Sequence, residues 1–134
     1  MKPAHAPVHV HQDSIRVLIV DDEPLFTEMI ETLLDVEDGV EVIGKAKHGK
    51  QGVMLAQELG PDVIVMDVSM PVMDGLEATR EIREQDPGAL VLILTGGTNV
   101  TDVDKARTAG AAGYLTKDRI AAQLVAEIRS LGAK

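Results

Sequence analysis

Apolar and polar positions along this chain alternate between two rhythms. Short, nearly unbroken apolar runs of strand length are each followed by a stretch in which apolar residues recur every three or four positions. Ile15-Arg16-Val17-Leu18-Ile19-Val20 is the first such run, and it ends in acid, as a buried strand would. Pro24 suits the first turn of a helix. Leu25, Phe26, Met29, Ile30, Leu33 and Leu34 follow at helical spacing and form one apolar stripe. After Gly39, Val40 to Ala46 predicts a second strand, and Gly49 to Leu59 a weaker helix that stops at Gly60-Pro61. Val63-Ile64-Val65-Met66 is apolar at every position and ends in Asp67; a strand covered on both faces has this composition.

The second half repeats the unit. A loop carrying Met70-Pro71-Val72-Met73-Asp74-Gly75 leads into a helix from about Leu76 to Gln85. Leu90 to Leu94 is a fourth strand ending at Thr95, followed by Gly96-Gly97. Asn99 to Ala109 is a polar, weakly amphipathic helix, and Gly113-Tyr114-Leu115-Thr116 is a short fifth strand ending at Lys117. Ile120, Leu124, Ile128 and Leu131 make the inward stripe of a last helix. Five strand–helix alternations predict an α/β fold, a parallel sheet with helices on both faces. Residues 1–14 show no apolar period and predict a flexible tail, with one domain over 15–134. His5, His9 and His11 fall in that tail, where a disordered start accounts for them better than a metal site.

Composition narrows the function. The 134 residues suit one domain and include no cysteine, which excludes a disulfide framework and thiolate metal sites. With one Phe, one Tyr and no Trp, the core must be built from aliphatic side chains. No apolar run reaches membrane-spanning length and the start shows no signal pattern, so a soluble, cytoplasmic protein is expected. The formal net charge of −9 argues against direct nucleic-acid binding by this chain.

In open parallel sheets, ligands collect outside the carboxyl ends of the strands. There the chain places Asp21 and Asp22 after the first strand, Asp67 after the third, Thr95 after the fourth and Lys117 after the fifth. Singly, each reads as a turn acid, a helix cap or a solvated lysine. Together on one edge they read as a site. Two carboxylates about 4 Å apart repel by about 4 kcal/mol at an effective dielectric of 20. A hard, oxygen-seeking cation relieves this, and Mg²⁺ (or Mn²⁺) takes one or two carboxylates plus waters and a phosphate. Lys117 adds a permanent positive charge. Such a cleft attracts a phosphoryl group, and a carboxylate can accept one as an aspartyl-phosphate.

Val20-Asp21-Asp22-Glu23, Met66-Asp67, Met70-Pro71-Val72-Met73-Asp74-Gly75, Leu94-Thr95-Gly96 and Gly113-Tyr114-Leu115-Thr116-Lys117 resemble the receiver domain of bacterial two-component response regulators over roughly residues 15–131. That resemblance implies a single flavodoxin-like (βα)5 three-layer sandwich with strand order 2-1-3-4-5. It implies that Asp67 takes a phosphoryl group from a sensor histidine kinase, so the chain is a phosphoacceptor rather than an enzyme. It further implies that Asp22, Asp67 and the main-chain oxygen of Ser69 hold Mg²⁺, with Asp21 acting mainly through water. Lys117 and Thr95 would bind phosphoryl oxygens. Tyr114 would turn inward behind Thr95, reshaping the surface of the fourth helix, fifth strand and fifth helix toward an output domain or partner protein. Tyr114 also reads, without the family, as a half-buried core residue.

Gly110 to Asp118 looks like the subfamily joined to a LuxR-type helix-turn-helix, so transcription is the expected output, and a homodimer is compatible with that reading. Asp118 stands where many receivers carry proline. The chain is either a stand-alone receiver or part of a longer regulator. Small residues at Ser69 and Gly97 imply an acyl phosphate open to water and short-lived. A haloacid-dehalogenase-type phosphatase would place its nucleophile after the first strand in an Asp-x-Asp pattern, whereas Asp67-Val68-Ser69 follows the third. A pseudo-receiver is disfavoured by retention of all five site residues.

Overall fold

The computed structural model describes residues 14–96 and 100–133, with the backbone alone at 100–102. The histidines at 5, 9 and 11, Gly97 and Asn99 lie outside the described residues. The strands are β1 Ile15–Val20, β2 Val40–Ala46, β3 Val63–Asp67, β4 Val91–Thr95 and β5 Gly113–Thr116. The helices are α1 Pro24–Asp35, α2 Gly49–Leu59, α3 Gly75–Gln85, α4 Val100–Ala109 and α5 Ile120–Gly132. A three-residue 3₁₀ turn, Lys117–Arg119, joins β5 to α5; the sequence pattern did not predict it. Helix α3 begins one residue before the predicted Leu76, because the Asp74 side chain caps it by accepting from the Glu77 N–H at 2.9 Å. Ser14, assigned to the tail by pattern, is buried.

All pairings are parallel and the order is β2-β1-β3-β4-β5, as expected for the flavodoxin-like fold. Alternation along each strand sorts the core into two layers. Val17, Ile19, Val63, Val65, Leu92 and Leu94 pack with Ile30 and Leu34 of α1 and Ile120, Leu124 and Ile128 of α5. Leu18, Val20, Ile64, Met66, Val91 and Ile93 pack with Val53 of α2, Ala78 and Ile82 of α3 and Ala106 of α4. Burial on both faces is why β3 shows no polar position before Asp67. The chain leaves β1 toward β2 on one side and β3 on the other, which opens a crevice between the carboxyl ends of β1 and β3.

The β3–α3 loop contains the one non-glycine residue at positive φ among the described residues, Val72 at 69°, fully exposed. A β-branched residue there costs about 1–2 kcal/mol, which asparagine largely avoids. Val72→Asn is therefore expected to raise stability by about 1 kcal/mol, read as a higher urea midpoint at unchanged slope. An unchanged or lower midpoint would contradict the strain.

Candidate acceptor site at the carboxyl edge of the sheet

Asp67 is the last residue of β3, paired with Leu94, and is 2% exposed. Asp21 directly follows β1; its N–H donates to the Ala46 carbonyl, continuing the β1–β2 ladder, and the residue is 3% exposed. Asp22, beside it, is exposed. One carboxylate oxygen from each of the three lies within 4.8 Å of the others. The sequence expectation of three converging acids is met.

Their charge is only partly offset within the protein. Lys117 Nζ lies 3.1 Å from Asp67 Oδ1, and the Ser69 N–H donates to the same oxygen at 3.3 Å. Burial nevertheless outweighs the lysine and lifts the Asp67 carboxyl above its ordinary range. Asp21 Oδ1 accepts the Glu23 N–H at 2.8 Å, whereas its buried Oδ2 has no hydrogen-bond partner. Burial, reinforced by the neighbouring Asp67 and only partly opposed by the Glu23 N–H bond, pushes the Asp21 carboxyl up to about 6.

A buried carboxylate oxygen without a partner, in a cluster of three acids, fits a cation. The donors are all oxygens, which suits a hard divalent ion such as Mg²⁺ or Ca²⁺ and not a thiophilic one. The cluster can hold a metal ion.

The remaining predicted residues divide between the two faces of the sheet. By alternation Asp67 shares the α1/α5 side with Val63 and Val65, while Thr95 shares the α3/α4 side with Val91 and Ile93. Thr95 is buried and pairs with Thr116. Tyr114 pairs with Ile93 and packs, half-buried, against the cluster on Thr95's side. Thr95 and Tyr114 are thus diagonal neighbours on one sheet face. Ser69, exposed, follows two residues after Asp67.

Sequence reasoning missed two supports. Gly75 lets α3 start against the backbone of Asp67 itself: a Cβ there would lie 2.2 Å from the Asp67 carbonyl oxygen. Phe26, read as one member of the α1 stripe, lies under Lys117, whose Nζ is 4.5 Å from the ring centroid. Its being the only phenylalanine, one helical turn after Asp22, was the available signal.

Residues 17–129 match the family model described as Response regulator receiver domain. The response regulator GacA of Pseudomonas viridiflava is 42% identical over 115 residues, 86% of this chain and 54% of that protein. NarL, the nitrate/nitrite response regulator of Escherichia coli K12, is 34% identical over 81% of this chain and 50% of its own length. A protein-glutamate methylesterase/protein-glutamine glutaminase of Methanospirillum hungatei JF-1 is 41% identical over 75% of this chain but only 29% of that protein. The chain thus spans about half or less of the length of these relatives. Among solved structures, a LuxR-family response regulator from Aurantimonas sp. SI85-9A1 superposes with a TM-score of 0.86 at 37% identity, covering 90% of this chain and 86% of that one. The response regulator domain of Thermotoga maritima CheB does so at 0.84 and 30%, covering 90% and 98%. With this match, the strand order and the acidic cleft in agreement, the chain belongs to the receiver domains of two-component response regulators.

Proposed function

We propose that Asp67 is the phosphoacceptor and that this chain is a switch, not a turnover enzyme. The observation that carries the reading is the 3.1 Å pair between Lys117 Nζ and the buried Asp67 Oδ1, with Asp21 and Asp22 within 4.8 Å. An Asp67 carboxylate oxygen attacks phosphorus in line; the new P–O bond forms as the P–N bond to the histidine of a sensor kinase breaks, and the imidazole leaves. Lys117 neutralises a phosphoryl oxygen, and the Thr95 hydroxyl hydrogen-bonds another. Asp21, Asp22, Asp67 and the Ser69 main-chain oxygen would hold Mg²⁺, which supplies charge neutralisation of the phosphoryl oxygens.

Thr95 is the link outward. Drawn toward a phosphoryl oxygen, it vacates space on the face it shares with Tyr114, and Tyr114 follows it. The surface of α4, β5 and α5 changes, altering contacts with an output domain or partner protein. LuxR-family and NarL-type relatives support transcription as that output, through an attached or partner domain. No helix of the described residues is long and apolar enough to cross a membrane, which is compatible with a cytoplasmic site of action.

Incubation with acetyl phosphate and Mg²⁺, read by intact mass, tests the reading. One added phosphoryl group is expected in the wild type and none in Asp67→Asn. Sustained turnover of phosphoesters would favour an enzyme, and an unmodified wild type a pseudo-receiver; either sinks the proposal.

A further inference from the structure

Phe26 is the chain's one phenylalanine and sits in the first turn of α1. Its ring packs against the buried cluster beneath α1 and α5, which would suffice for a core residue. The ring also carries the Lys117 ammonium, whose Nζ lies 4.5 Å from its centroid. The same Nζ is 3.1 Å from Asp67 Oδ1. The ammonium is gripped by a carboxylate and an aromatic ring together. We propose that Phe26 is a positioning residue, whose ring holds Lys117 on Asp67 and thereby speeds phosphoryl transfer. The inference rests on the reading of Asp67 as the acceptor.

The need for such a support follows from lysine chemistry. The Lys117 side chain is 30% exposed, its four-carbon stem is flexible, and its ammonium is strongly hydrated. Left to a single ion pair, it would spend much of its time in water. An aromatic face attracts a cation through its quadrupole. It does so without a formal charge that would compete with the incoming phosphoryl group. Lysine carries three N–H donors. Asp67 Oδ1 takes one, and the ring needs none as a conventional acceptor, so donor capacity remains for a phosphoryl oxygen. Phe26 follows Asp22 by four residues. The segment that brings the acidic pair into the cleft from β1 therefore also steadies the lysine arriving from β5. Positioning of this kind acts on rate, because small displacements of a charge-neutralising group are costly in the transition state.

The test uses acetyl phosphate and Mg²⁺ without a kinase, so that effects on recognition of a phosphodonor protein do not enter. Wild type, Phe26→Leu and Phe26→Tyr are compared at a temperature where circular dichroism shows all three folded. Leucine keeps an apolar side chain but removes the π face, and tyrosine restores it. Phosphorylation of Phe26→Leu is expected to be about fivefold slower, and that of Phe26→Tyr within about twofold of wild type. Independently, the Lys117 Hε protons should be shifted upfield by the ring in wild type and Phe26→Tyr, and should return to the ordinary lysine position in Phe26→Leu. Equal rates in wild type and Phe26→Leu, or an unshifted Lys117 in wild type, overturn this proposal alone. A wild type that takes no phosphoryl group, or an Asp67→Asn variant that still takes one, overturns the acceptor reading and this inference with it.

Discussion

Replacing Gly75 with alanine is expected to cost about 3 kcal/mol or more of stability and to slow phosphorylation by at least about tenfold. The added Cβ would lie 2.2 Å from the Asp67 carbonyl oxygen and 2.9 Å from both its carbonyl carbon and Val68 Cα. These are backbone atoms of the strand end, not side-chain tips that can rotate away. The Gly75 N–H donates to the Val68 carbonyl at 3.1 Å and its own carbonyl accepts the buried Thr79 hydroxyl at 2.7 Å. Neither α3 nor β3 can shift without breaking one of these bonds. Relief must come from moving the peptide that carries Asp67, which displaces the carboxylate from Lys117. A domain of this size with a total stability of about 5–15 kcal/mol would show the loss as a fall in melting temperature of about 10 °C. Gly60 is the control. It ends α2 at a φ of 56° with open space where a Cβ would go, so Gly60→Ala should cost about 1 kcal/mol and leave phosphorylation unchanged. Equal behaviour of the two variants in urea unfolding and in phosphorylation rate would show that the close approach at Gly75 is not what matters.

The contrast between these two glycines shows where sequence reading stops. Gly60-Pro61 was legible as a helix end because that signal is local. Gly75 was legible as part of a family motif, but its steric reason was not, since it depends on how closely two segments approach. The same division runs through the fold. Strands β1, β3 and β4 stood out because burial on both faces leaves nearly unbroken apolar runs. Their ends were therefore legible, and with them Asp21, Asp67 and Thr95 on one edge. Helix α4 was faint, because its packing rests on small residues, Ala106 and Ala109, which carry little periodic signal. The 3₁₀ turn after Lys117 is only three residues long, too short for any pattern. Phe26 was visible as an apolar position, but its contact with Lys117 crosses from α1 to the end of β5. The partnerless oxygen of Asp21 is likewise a property of packing.

That oxygen underlies a second large effect: in metal-free buffer near pH 7.5, Asp21→Asn is expected to be more stable than wild type by about 2 kcal/mol. Burial raises the Asp21 carboxyl from 3.8 to about 6. The folded protein therefore holds a proton that the unfolded chain has already released. Between about pH 4 and 6 the folded state binds more protons, so stability falls as pH rises through this window and stays reduced above it. Burial shifts Asp67 in the same direction and steepens the fall. An asparagine amide avoids burying the charge, and its oxygen can still accept the Glu23 N–H. The advantage should vanish near pH 4, where wild-type Asp21 is neutral. Saturating Mg²⁺ should reverse the order at pH 7.5, because an ion bound only to the folded state adds about 2.7 kcal/mol at a hundred times its dissociation constant, and the variant lacks one carboxylate of the cluster. Acidification below about pH 6 should erase the Mg²⁺ gain in wild type as protons compete for the same oxygens. Urea unfolding at pH 4, 5, 6 and 7.5, with EDTA and with Mg²⁺, reads all of these outcomes. A less stable Asp21→Asn in EDTA at pH 7.5 would mean that the buried carboxylate is already compensated within the protein. A wild type that gains no stability from Mg²⁺ at pH 7.5 would mean that the three acids gather no ion, and the chemistry assigned to the cleft would lose its electrostatic basis.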